Sequence, residues 1–123
     1  MFINYNPENE GEKLAKYMFL FSYTSEAAAG MIDKPGDRAA AAAKLAEAVG
    51  GTLECFYWML GPHDGVAILD VPDVAAAAGV SLGIAAGGAL KSVESHQLVT
   101  MDEAVAALKA GKSVRDVYRL PGT

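Results

Sequence analysis

The residues best equipped for chemistry in this chain are two neighbours, His63 and Asp64, in the run Gly61-Pro62-His63-Asp64. An imidazole beside a carboxylate can serve as a general base, its pKa raised by the neighbour. The alternative is a plain turn, with Pro62 at its second position and His63 solvated. Adjacent residues on a strand point to opposite faces, so adjacency alone does not pair the two side chains. Cys55 is the single cysteine; it lies mid-strand with no basic neighbour, which fits a buried structural thiol. His63, His96, Asp64 and Glu94 are the conceivable metal ligands, but no HxxxH or CxxC spacing occurs, and only a metal shared between subunits stays open. Gly79, Gly83, Gly87 and Gly88 do not form a GxGxxG loop after a strand, so no dinucleotide site follows. No cofactor is expected.

These residues must be positioned by strands and helices that the sequence spells out. Tyr17 to Tyr23 alternates Tyr17, Phe19, Phe21 and Tyr23 against Met18, Leu20 and Ser22, the pattern of a strand. Thr24 or Ser25 caps a helix that breaks at Asp33-Lys34-Pro35-Gly36. Asp37 caps a second, Ala-rich helix from Arg38 to Val49, stopped by Gly50-Gly51. Leu53 to Leu60 and Val66 to Val71 form a hairpin around the His63-Asp64 turn, with Leu53, Cys55, Tyr57 and Met59 on one face of its first strand. Asp73 opens a helix from Val74 to about Ala86, and Ala89 to Leu98 is a more polar fourth strand. Thr100 and Glu103 have capping-box spacing and open a last helix, expected to stop at Ala110 before Gly111. The tail from Lys112 to Thr123 carries Val114, Val117, Tyr118 and Leu120 and is expected to pack on the domain. Residues 1–15 read as a flexible extension, or as an arm anchored by Phe2, Ile3 and Tyr5.

The order β-α-β-β-α-β plus a terminal helix predicts an α+β, ferredoxin-like domain over residues 16–111. One sheet face is covered by helices. The other should be polar if it meets water, yet the first two strands carry large apolar residues on both faces. A second copy of the same sheet is the simplest cover, so a homodimer through sheet faces is expected, burying on the order of 800 Å² per subunit. In this topology Tyr23, Thr24 and the first helix turn lie near His63 and Asp64, where a small anion or carbonyl ligand could be held. The two histidines fall at opposite ends of the sheet, roughly 15 Å or more apart.

Composition narrows the classes. A chain of 123 residues with 52% hydrophobic content forms one domain with a real core. A net charge of −5 argues against a nucleic-acid backbone or an anionic membrane as partner. No apolar run approaches the ~20 residues of a membrane span. The N-terminus carries Glu8, Glu10 and Glu12 where a signal peptide would be basic and then apolar, and one thiol fits a reducing compartment. A cytoplasmic protein is expected.

Phe21-Ser22-Tyr23-Thr24, Gly50-Gly51, the Gly61-Pro62-His63-Asp64 turn, Pro72-Asp73 and Leu98-Val99-Thr100 together resemble the GYD domain family, over about Lys16 to Ala110. The resemblance implies a fold related to the dimeric α/β barrel proteins and a dimer, and it assigns no chemistry. The Gly and Asp of the family's name fall at Gly61 and Asp64, with His63 where a tyrosine would precede the aspartate. Arg38 matches an arginine the family often carries after the helix break; it would bind an anion, or else pair with Asp33 or Asp37. Tyr57 and Trp58 could line a ligand pocket, or else serve core or interface. The candidate ligand-binding set is Tyr23, Arg38, Tyr57, His63 and Asp64. Three functions compete: a small-molecule-binding or regulatory module, a cofactor-free enzyme on a small organic substrate, and a structural or assembly protein.

Overall fold

The computed structural model describes residues 14–123, so nearly all of the expected N-terminal extension lies outside the described residues. Strand β1 (Ala15–Tyr23) leads through α1 (Ser25–Asp33) and α2 (Arg38–Ala48) to β2 (Thr52–Trp58) and β3 (Gly65–Val71). Helix α3 (Val74–Ala86), β4 (Leu90–Leu98) and α4 (Met101–Val117) complete the order. The strands form one antiparallel sheet in the order β2-β3-β1-β4. That is the ferredoxin-like α+β arrangement expected.

Local chemistry sets the helix starts. Thr24 Oγ1 accepts the Ala27 N–H at 3.1 Å, Asp37 Oδ1 that of Ala40 at 3.0 Å, and Asp73 Oδ1 that of Ala76 at 2.8 Å. Each satisfies a backbone donor that the first helical turn cannot. Thr100 and Glu103 complete a reciprocal capping box at α4. Tyr17, Phe19, Phe21 and Tyr23 from β1 build the core with Ala67, Leu69 and Val71 from β3 and Ala46, Ala77 and Val80 from the helices. Two glycines are required by close approach. A Cβ on Gly51 would sit 2.2 Å from the Asp70 carbonyl oxygen, and one on Gly65 would sit 2.5 Å from Phe21 Cζ.

Three expectations are corrected. A register shift between Leu53 and Cys55 inserts an extra residue in β2, so Leu53 stands opposite Leu69 while Cys55 stands opposite Ile68. Leu53 and Phe56 therefore pack against the core, and strict alternation fails because a bulge moves every later side chain by one position. Helix α4 runs through Gly111 to Val117. An interior glycine costs only about 1 kcal/mol relative to alanine, and Gly111 lacks the positive φ that marks a helix stop. The segment after Gly111 does not pack on the domain: no residue of α4 is buried, and Val114, Val117, Tyr118 and Leu120 are all exposed.

Candidate functional site

Asp64 is tied on both sides. Its N–H donates to the Phe21 carbonyl at 2.8 Å and its own carbonyl accepts from Met59 N–H at 2.9 Å. Its Oδ2 accepts the Tyr23 N–H at 2.8 Å. The turn is further held by Ser22 Oγ, which donates to the Pro62 carbonyl at 3.2 Å. Asp64 thus fastens the end of β1 to the β2–β3 loop. As expected from the topology, the turn and the end of β1 meet.

Tyr23 and Asp64 also border a cleft of about 460 Å³, together with Arg38, Trp58, Met31 and Ile32. Tyr23 and Arg38 are shared with a narrower apolar slot of about 90 Å³ between sheet and helices, walled by Phe19, Phe21, Phe56, Leu69, Val80 and Val93. The Tyr23 ring is buried, 5.6 Å from Phe21 edge-on and 5.5 Å from the Trp58 ring. Arg38 is exposed and makes no ion pair among the described residues. Neither Asp33 nor Asp37, the partners a structural role would need, engages it. Asp37 instead caps α2.

Two members of the candidate set are not in this cleft. Tyr57 is 65% exposed and faces away from the helices, opposite Val66. Trp58, one residue on, takes the place assigned to Tyr57. The register shows why: Trp58 pairs with Gly65, whose other neighbour is Phe21, so Trp58 shares the face of the core aromatics. His63 turns to the open sheet face as well. Its Nε2 lies 3.8 Å from Glu94 Oε1, and His96 Nε2 lies 3.3 Å from Glu94 Oε2. The expected wide separation of the two histidines is thereby corrected. It counted strand positions, whereas both imidazoles lean along the sheet towards one carboxylate between them. Among the described residues no group of three or more histidine, cysteine, aspartate or glutamate side chains is arranged to hold a metal.

The open face carries a second polar group that the sequence did not single out. Lys16 Nζ donates to Asp70 Oδ1 at 2.8 Å and also to Glu54 Oε2. Burial pulls the Lys16 pKa down, but the hydrogen bonds to Asp70 and Glu54 outweigh it, and the net shift is upward. Glu54 follows the core-facing Leu53, so alternation puts it on the open face within reach of Lys16. Cys55 is a free, half-buried thiol, less enclosed than expected.

The cleft is therefore apolar with a phenol and a guanidinium at its border. Among the described residues its walls contain no serine, cysteine or histidine, and the one acid there, Asp64, already serves the backbone. Such a site can bind and orient a small molecule.

A ferredoxin-like α+β domain with an apolar cleft between sheet and helices is the class that fold and site define. The GYD domain model matches residues 17–108, and the chain belongs to that family. No curated protein matches it in sequence. Among solved structures, MtbAldR is similar with a TM-score of 0.52 and 14% identity, covering 80% of this chain and 60% of that one. An AsnC family transcriptional regulator from Agrobacterium tumefaciens is similar with a TM-score of 0.49 and 14% identity, covering 82% of this chain and 60% of that one. At such identities the likeness concerns the fold alone, and the chain spans about 60% of the length of each neighbour. Among the described residues, no helix is long and apolar enough to cross a membrane.

Proposed function

We propose that this chain is a small-molecule-binding or regulatory module whose ligand occupies the cleft at Tyr23 and Arg38. One observation carries this reading: an apolar slot and a wider cleft share a phenol and a guanidinium, Tyr23 and Arg38, in their walls. Pockets of that kind, mostly apolar with a few convergent polar groups, are where small molecules bind. A cofactor-free enzyme would need a free base or nucleophile in the same walls, and none of the lining side chains supplies one.

The module works as a homodimer, its open sheet faces together. Met18, Leu20 and Val66 lie on that face half-buried, and α4 presents further apolar side chains, Met101, Val105 and Leu108, that are exposed among the described residues. A second copy would cover both at ordinary interface size. The negative charge of the chain leaves nucleic acid and anionic membranes outside the proposal, and the compartment that suits it is the cytoplasm.

The test is a fragment screen by saturation-transfer NMR on the full chain and on Ala42→Phe, which fills the slot from helix α2. Hits on the unaltered protein that vanish in the variant are expected, with folding of both checked by circular dichroism. Hits unaffected by a folded Ala42→Phe chain would remove the cleft from consideration.

A further inference from the structure

We infer that the ligand class is a short aliphatic carboxylate; this rests on the cleft reading above and adds the chemistry of the occupant. Arg38 and Tyr23 are the two polar side chains that line both the slot and the wider cleft. The Tyr23 ring is held by Phe21 and Trp58, which fixes where its phenol stands. Arg38 is the first residue of α2, a helix whose start is pinned by the Asp37 cap, and it makes no ion pair among the described residues. A planar guanidinium binds a carboxylate through two parallel N–H donors, and a phenol adds a third donor.

The same walls argue against other polar classes. A cationic ligand would meet Arg38 and find as counter-charge only Asp64, whose Oδ2 is taken by the Tyr23 backbone. An α-amino acid brings an ammonium group into that setting and gains nothing over the simple acid. The rest of the molecule must be apolar, because Phe19, Phe56, Leu69, Val80 and Val93 line the slot. At about 90 Å³ the slot is smaller than the ~150 Å³ apolar cavity that accepts benzene. It suits a branched tail of about four carbons better than an aromatic ring.

The experiment titrates the full chain with 3-methylbutanoate, 3-methylbutan-1-ol, L-leucine and phenylacetate, following the indole N–H of Trp58, the single tryptophan. 3-Methylbutanoate is expected to bind at least about tenfold more tightly than the alcohol, the discrimination a charge-assisted pair provides. It should also bind more tightly than leucine or phenylacetate. Arg38→Gln, an exposed substitution that leaves the fold intact, should bring acid and alcohol to equal affinity. Tyr23→Phe should fall between. Equal affinity of acid and alcohol for the unaltered chain overturns the carboxylate class while leaving the cleft a binding site, as does preference for leucine or an acid affinity untouched by Arg38→Gln. No response to any of the four also overturns it, and the cleft then stands or falls on the fragment screen alone.

Discussion

Replacing Asp64 with alanine removes one acceptor from the point where β1, the β2–β3 loop and the cleft meet. Its backbone bonds to Phe21 and Met59 survive the change. The lost contact is the 2.8 Å bond from the Tyr23 N–H to Oδ2. Tyr23 is buried, so its donor has no ready substitute in water. A hydrogen bond to a charged acceptor is worth about 1.5–3 kcal/mol net, and an unsatisfied buried donor costs a similar amount. The expected loss is therefore about 2 kcal/mol, which for a domain of this size is a drop in melting temperature of roughly 5–12 °C. Urea unfolding followed by Trp58 fluorescence measures it directly, because Trp58 stacks near the Tyr23 ring and reports the same corner. Asp64→Asn retains an acceptor oxygen and should lose only about half as much. A loss below about 0.5 kcal/mol for Asp64→Ala, the size of an ordinary surface change, would refute the fastening role. Equal losses for Ala and Asn would show that charge, and not the acceptor, matters.

Other outcomes follow from the same geometry. The Lys16 pKa is raised above its ordinary 10.5, so its stabilising contribution is complete below that value and lost as pH rises through the higher folded value. Denaturation midpoints should hold to about pH 10 and then fall more steeply for the native chain than for Lys16→Met; parallel curves would contradict it. Gly65→Ala drives a Cβ into the Phe21 ring and should cost about 1–3 kcal/mol in urea unfolding, partly recovered by adding Phe21→Leu. Leu20→Asp places a charge on the open sheet face and should convert a dimer to a monomer in native mass spectrometry; a folded dimer would remove that face as the interface. His63→Ala should move the melting temperature little, since among the described residues Nδ1 has no partner and the Nε2 contact with the exposed Glu94 is long, at 3.8 Å; a large drop would show a structural role.

Much of the fold was legible because its signals are local. The aromatic alternation of β1, the Asp37 and Asp73 caps and the Thr100–Glu103 box each act within a few residues, and the structure contains all of them. The meeting of Tyr23 with Asp64 was legible from topology. What failed depended on one inserted residue or on side-chain reach. The bulge at Glu54 shifts the face of every later residue of β2, and no period-2 pattern can announce it. Gly111 read as a stop, yet a glycine ends a helix only where the backbone turns left-handed. Glu94 between His63 and His96, and Lys16 between Glu54 and Asp70, join residues from different strands whose pairing register the sequence does not state. Within the candidate site, Arg38 and Tyr23 were visible as residue types at helix and strand ends, while Trp58 was displaced by its neighbour Tyr57.

The most direct test of the central claim is a backbone and indole ¹H–¹⁵N shift map of the full chain, free and with the strongest fragment bound. The expected result is a concentrated change at the Trp58 indole and at the amides of Tyr23, Arg38 and Ala42, with Met18, Leu20 and Glu94 on the open face unmoved. Shifts centred on the open face, or spread without focus, would contradict a binding site between the sheet and the helices.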